Sequence, residues 1–367
     1  MLPLRAGLSD CGDPAAASRA AEVTGDCDAG PAGMEAGAAP DALPLDFPRF
    51  VPRAPWWGGD LQTLRNFFVR RVDRLAAFAL RRLELPLGDG SGARLSAVLH
   101  LPAGKPARPL AVLIHGLSGS EASLYVLRSA GVLLAAGFPV LRLNLRGAGP
   151  SRPLCAGQYH AGRSADLGAA LAALPAALVR HGLVAIGYSL GANLLLKFLG
   201  EGGDARLRGA AAVSAPIDLI ASSRRLKAAR NAIYQRYLLA HMKHESLQPA
   251  AALTVGERRV IAEARSVFEF DDRFVAPRNG FVGAEDYYAR SSAQRVLDAI
   301  RTPTLVIHAL DDPWIPAGAY LARDWRANRN LVPLLPARGG HVGFQGIDRR
   351  APWHDLCTLR FFESLVA

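Results

Sequence analysis

From residue 110 to residue 214 the chain repeats one rhythm, in which short apolar runs alternate with stretches long enough for a helix. Strands are expected at 110–114, 140–145, 183–187 and 209–214. Helices are expected at 121–136, ending at Gly137, at 164–174, just before Pro175, and at 190–199. Apolar runs at this spacing bury both faces of a strand, which calls for parallel βαβ units in one sheet with helices on both sides. Ahead of them, 82–87 and 94–101 alternate apolar and polar residues around Gly88-Asp89-Gly90-Ser91-Gly92, a hairpin pattern. The rhythm stops at Pro216. Residues 217–301, rich in Arg, Ala, Tyr and Phe, are expected to form a helical cap inserted between strands. It resumes with a strand at 304–309, a helix at 318–326, a strand at 331–335 and a closing helix from Trp353.

Composition narrows the class. Half of the 367 residues are apolar, enough for a sizeable core. Residues 1–45 are the exception: Ala, Gly, Pro and Asp without periodicity predict a disordered tail, with Met34 a candidate native start. The ordered domain is expected over 46–367. No run approaches the roughly 18–20 apolar residues of a spanning helix. The opening residues lack a secretory h-region, so a cytoplasmic protein is expected. The net charge of +11 is spread over scattered arginines, with Lys105, Lys197, Lys227 and Lys243 the four lysines. Arg70, Arg71 and Arg74 with Arg81 and Arg82, and then Arg224, Arg225 and Arg230, are the densest groups. Such spacing builds no nucleic-acid arm and allows at most peripheral contact with an anionic membrane. Cys11, Cys27, Cys155 and Cys357 form no CxxC pair and read as reduced thiols.

The chemistry concentrates at Gly187-Tyr188-Ser189-Leu190-Gly191, placed where a strand ends and a helix begins. That turn strains the serine, exposes its oxygen above the sheet and demands small neighbours two residues away. A serine at its free pKa is a poor nucleophile and needs an oriented base. Asp312 follows the strand at 304–309, and His341 lies in Gly339-Gly340-His341-Val342-Gly343 after the last strand. Both stand at the carboxyl edge of the sheet, in the order Ser, Asp, His. Asp311 is the alternative acid; Asp312 is favoured because Asp-Pro-Trp-Ile-Pro places it just before the turn. Oxyanion donors are expected at the backbone N–H of Leu190 and in His115-Gly116-Leu117-Ser118-Gly119, at Leu117. His115 reads as a structural loop residue. His241 and His244 find no third ligand, so no metal is proposed, and no GxGxxG follows a strand. No cofactor is expected.

These residues resemble the YheT-like hydrolases, the AB-hydrolase 4 family of the α/β-hydrolase superfamily, from Pro55 to the C-terminus. The resemblance runs through Trp57-Gly58-Gly59-Asp60-Leu61-Gln62-Thr63-Leu64, the loop at His115, Asn144-Leu145-Arg146-Gly147 and Tyr159-His160-Ala161-Gly162 with Asp166-Leu167. It continues through Ser214-Ala215-Pro216-Ile217-Asp218-Leu219, Tyr287-Tyr288 with Ser291-Ser292, and the segment at His341. It implies an α/β-hydrolase fold with a helical cap and a triad of Ser189, Asp312 and His341. It also implies hydrolysis of carboxylic esters, acyl lipids among them. Ala192 stands where a second glycine is usual, and Ala148 where cysteine is common. Eukaryotic relatives carry an N-terminal membrane anchor, for which this sequence offers no span.

A serine esterase acting on a small acyl ester, of short to medium chain length or a lipid, is therefore expected. A catalytically idle binding scaffold and an acyltransferase with an alcohol acceptor are the alternatives. Phe268, Phe270, Phe281, Tyr287 and Tyr288 read as core aromatics, with an acyl pocket as their other use.

Overall fold

The structure, a computed structural model, describes residues 46–69, 75–104, 107–348 and 351–366. The expected tail 1–45 with Met34, Cys11 and Cys27 lies outside the described residues, as do Arg70, Arg71, Arg74 and Lys105.

One eight-stranded sheet runs through the domain in the order β1-β2-β4-β3-β5-β6-β7-β8. The strands are β1 (Ala79–Pro86), β2 (Arg94–Leu101), β3 (Leu110–Ile114), β4 (Val140–Leu143), β5 (Leu183–Tyr188), β6 (Leu207–Val213), β7 (Thr304–Ile307) and β8 (Leu331–Leu334). β1 and β2 form the expected antiparallel hairpin, and β2 also runs antiparallel to β4. From β4 to β8 all pairs are parallel. Burial explains the sequence pattern: every residue of β3 and β5 is buried, so these strands read as apolar runs, and β4 is buried likewise with Arg142 as its one charged residue. Two apolar clusters, one on each face, complete the core.

The expected elements occur with shifted ends, and the shifts have causes. The helix expected from residue 121 starts at Leu124, because Glu121 turns inward: its N–H donates to Asn144 Oδ1 at 2.8 Å. Its carboxylate takes Arg82 Nη2 at 2.6 Å and Asn144 Nδ2 at 2.6 Å. β4 stops at Leu143 for the same reason, since the next side chain, Asn144, is committed to that cluster and to Ser96 O. The helix expected at 318–326 divides into Gly318–Leu321 and a tight turn at Trp325–Ala327.

Helix Gly59–Phe68 was not expected at all. Its polarity is inverted: Gln62 and Thr63 are buried, while Leu61 and Phe68 face solvent. Apolar periodicity cannot reveal such a helix.

Between β6 and β7 every regular element is helical. The longest are Leu219–Lys227, Ala232–Ser246, Val255–Glu263 and Ala284–Ser291. Helix Val267–Phe270 runs into a π-helical turn, Asp271–Val275, and then Ala276–Arg278. Pro277 cannot donate to the helical ladder, and the turn before it widens.

Arg146, from the Asn-x-Arg-Gly motif, is buried and doubly tied. Its Nε and Nη2 each donate to Asp166 at 2.7 Å, and Nη2 also reaches Asp89 of the hairpin turn at 2.6 Å. Removing Asp166 would leave the buried guanidinium with only half-exposed Asp89 as a charged partner. Asp166→Ala is expected to cost about 3 kcal/mol, read as a lower denaturation midpoint in urea; an unchanged midpoint would contradict the pairing.

Candidate active site

The sheet delivers the three candidate side chains to one edge. Ser189 sits between β5 and helix Leu190–Gly200 with φ 51° and ψ −121°, a left-handed conformation rare for a side chain larger than glycine's. The glycines around it are required by contact. A Cβ on Gly187 would lie 2.5 Å from Gly191 O, and one on Gly191 2.3 Å from His115 O. Ala192, in place of the usual second glycine, is fully buried in the core behind the turn, and its Cα is among the atoms nearest Gly187.

His341 Nδ1–H donates to Asp312 Oδ2 at 2.7 Å. That bond fixes the tautomer and leaves Nε2 as acceptor, 2.9 Å from Ser189 Oγ. Asp312 is buried, and its other oxygen accepts from Trp314 N at 2.8 Å and Ile315 N at 3.0 Å. Burial pushes its carboxyl up, but the attraction and hydrogen bond of His341 prevail and hold it below the ordinary value. Asp311 is turned elsewhere. Its Oδ1 accepts from Gly340 N at 2.9 Å, one residue before the histidine, and burial raises its pKa.

Residues of helix Gly59–Phe68, two of them named in the sequence only within a motif, hold the histidine in place. Thr63 Oγ1 accepts from His341 N at 2.8 Å, and Asn66 Nδ2 donates to Val342 O at 3.0 Å. Gln345 N donates to Gln62 Oε1 at 2.7 Å. Gly340, at φ +60°, packs so tightly that a Cβ would lie 2.3 Å from Gly59 O. The inverted helix Gly59–Phe68 is thus the clamp on the histidine loop. Trp314, unremarked in the sequence, stacks on the imidazole with ring centroids 4.4 Å apart. Its only signal was the Asp-Pro-Trp-Ile-Pro segment itself.

The loop after β3 abuts the nucleophile: a Cβ on Gly116 would lie 3.0 Å from Ser189 Cβ. Its neighbouring N–H groups are engaged, Gly116 with Tyr125 Oη, Ser118 with Tyr159 Oη and Gly119 with Gly116 O. Leu117 is the remaining member of the turn, and it lines the same cavity as Ser189 and Leu190. His115 is a structural residue. Nδ1 bonds Gly116 O at 2.8 Å, Nε2 accepts from Leu145 N at 3.0 Å, and burial lowers its pKa to about 4. His241 bonds Tyr237 O and His244 bonds Gln248. Among the described residues, no three His, Cys, Asp or Glu side chains gather as a metal site.

Ser189 and His341 open onto a cavity of about 590 Å³, within the range of roughly 300–1,000 Å³ typical of small-molecule sites. Its walls are mostly apolar and come from both the sheet edge and the helical segment after β6. Of the five aromatics singled out in the sequence, Tyr287 and Tyr288 line it; Phe268, Phe270 and Phe281 do not. Among the described residues no helix is long and apolar enough to cross a membrane.

Known proteins are similar to this chain. YheT of Escherichia coli (strain K12) is 33% identical over 308 residues, which covers 81% of this chain and 87% of that protein. Phospholipase ABHD3 of Mus musculus is 29% identical over 264 residues, 71% of this chain and 64% of that relative, so the chain spans just under two thirds of its length. Among solved structures, an esterase of Pyrococcus furiosus aligns with a TM-score of 0.53 at 16% identity, over 87% of this chain and 97% of that one, a likeness of fold. The family model described as the alpha/beta hydrolase fold matches residues 109–344, and the chain belongs to that family, within its YheT-like group of esterase- and lipase-type hydrolases.

Proposed function

We propose that the chain hydrolyses carboxylic esters of short to medium acyl length, lipid esters among them, through an acyl-enzyme on Ser189. The observation that carries the reading is the unbroken chain from Ser189 Oγ through His341 to buried Asp312, at 2.9 and 2.7 Å, opening onto a largely apolar cavity. As Ser189 Oγ attacks the ester carbonyl, its proton passes to His341 Nε2. Asp312 steadies the imidazolium, and the N–H groups of Leu117 and Leu190 receive the oxyanion. His341 then returns the proton to the departing alcohol. Water, deprotonated by the same histidine, cleaves the acyl-enzyme and frees the acid. Helical residues 217–301 act as the cap that shapes the acyl space.

The purified chain is expected to turn over p-nitrophenyl esters of graded chain length with saturable kinetics, at a rate abolished by prior treatment with a fluorophosphonate. A chain that binds these esters without releasing p-nitrophenol would be an idle scaffold. Preferred transfer to added alcohols, seen by product analysis, would make it an acyltransferase.

A further inference from the structure

The cavity is not apolar throughout. The π-helical turn Asp271–Val275 puts the Asp271 carboxyl on its wall, together with Ser222, Ser223 and Tyr288. Asp271 is only 7% exposed. Its Oδ2 accepts from Tyr288 Oη at 2.7 Å, and Ser223 Oγ lies 3.4 Å from that same hydroxyl. Among the described residues no ion pair and no further hydrogen bond reaches Asp271's other carboxylate oxygen, Oδ1. Two other buried carboxyls near the site hold charged or ionisable partners instead, Asp312 with His341 and Asp166 with Arg146. Asp271 Oδ1 is not sealed inside the protein but open to the cavity, where it can accept from a donor that enters. The π turn, a geometry that recurs at functional sites, is what carries it there.

We infer that Asp271, with Tyr288, is a specificity subsite for a substrate hydroxyl remote from the scissile ester, so that hydroxyl-bearing esters are preferred over plain alkyl esters of the same length. The inference rests on the esterase reading above and adds to it the chemistry of the substrate's far end. A neutral hydroxyl suits the site better than a fixed cation. Burial raises the Asp271 carboxyl to about 7, so it carries only part of a charge near neutrality. The hydroxyl could sit on the acyl chain or on the alcohol; the chemistry at Asp271 is the same.

Two ester series separate the sources. In one, p-nitrophenyl esters of graded chain length are compared with counterparts carrying a terminal hydroxyl on the acyl chain. In the other, octanoate esters of alkanols are compared with those of the matching terminal diols, reading octanoate release. At one chain length in one series the hydroxyl is expected to raise kcat/KM by about tenfold or more. That ratio should fall to about one in Asp271→Leu and to an intermediate value in Tyr288→Phe. Should the leucine variant not fold, Asp271→Asn, which keeps the side-chain size, is tested on the same two ester series. A neutral amide oxygen accepts from a hydroxyl more weakly than a carboxylate does, so the hydroxyl preference should drop by about threefold or more. Plain esters turned over with no hydroxyl preference in either series would overturn the inference and leave the esterase reading standing. So would a preference untouched by change at Asp271. Absence of any ester turnover, with no fluorophosphonate labelling, would remove both.

Discussion

Ser189→Ala is expected to lower kcat for a p-nitrophenyl ester by about a millionfold while leaving the fold intact. The size follows from the chemistry. Removing the oxygen deletes the covalent route itself, leaving only the oxyanion donors and substrate positioning, which retain roughly a thousandfold or more over water. Stability should hardly suffer. The strained conformation at φ 51° is set by the backbone turn, and the lost hydroxyl's recorded partner is His341, at the cavity edge. Stopped assays over long incubations, with circular dichroism on the same sample, check both halves. A variant retaining even a hundredth of native kcat would mean that another group carries the reaction.

Asp312→Asn is the second large effect, expected to lower kcat by about ten-thousandfold. The amide keeps the shape and can still accept from Trp314 N and Ile315 N, but it can turn its NH2 toward His341. The imidazole would then carry its proton on Nε2, facing Ser189, and could no longer accept. Asp311→Asn supplies the contrast. Its task is to accept from Gly340 N, which an amide oxygen also does, so kcat should fall by less than about tenfold. Equal losses in the two variants would show that the two aspartates act through one shared network.

How far the site could be read in the sequence depends on which signal each residue leaves. Ser189 was legible because its motif lies at a strand-to-helix junction that the apolar rhythm locates independently. His341 and Asp312 were found the same way, as residues just beyond strands β8 and β7. Between Asp311 and Asp312, adjacent and chemically alike, sequence offered only a turn preference; the backbone path sends one to Gly340 and the other to the imidazole. The clamp was invisible for a physical reason. Helix Gly59–Phe68 buries Gln62 and Thr63 and exposes Leu61, so the usual rule of apolar side inward fails along it. Asp271 escaped notice likewise, because a π turn has no residue pattern of its own and a buried acid looks in sequence like a surface one.

Every step of the proposed reaction depends on Ser189 acting as the nucleophile. The most direct measurement is mass spectrometry of the protein after brief exposure to a fluorophosphonate, followed by digestion and mapping of the adduct. One adduct per chain on the peptide containing Ser189, absent from Ser189→Ala, is the result expected. An adduct on a different residue, or an unmodified protein that still hydrolyses esters, would contradict it.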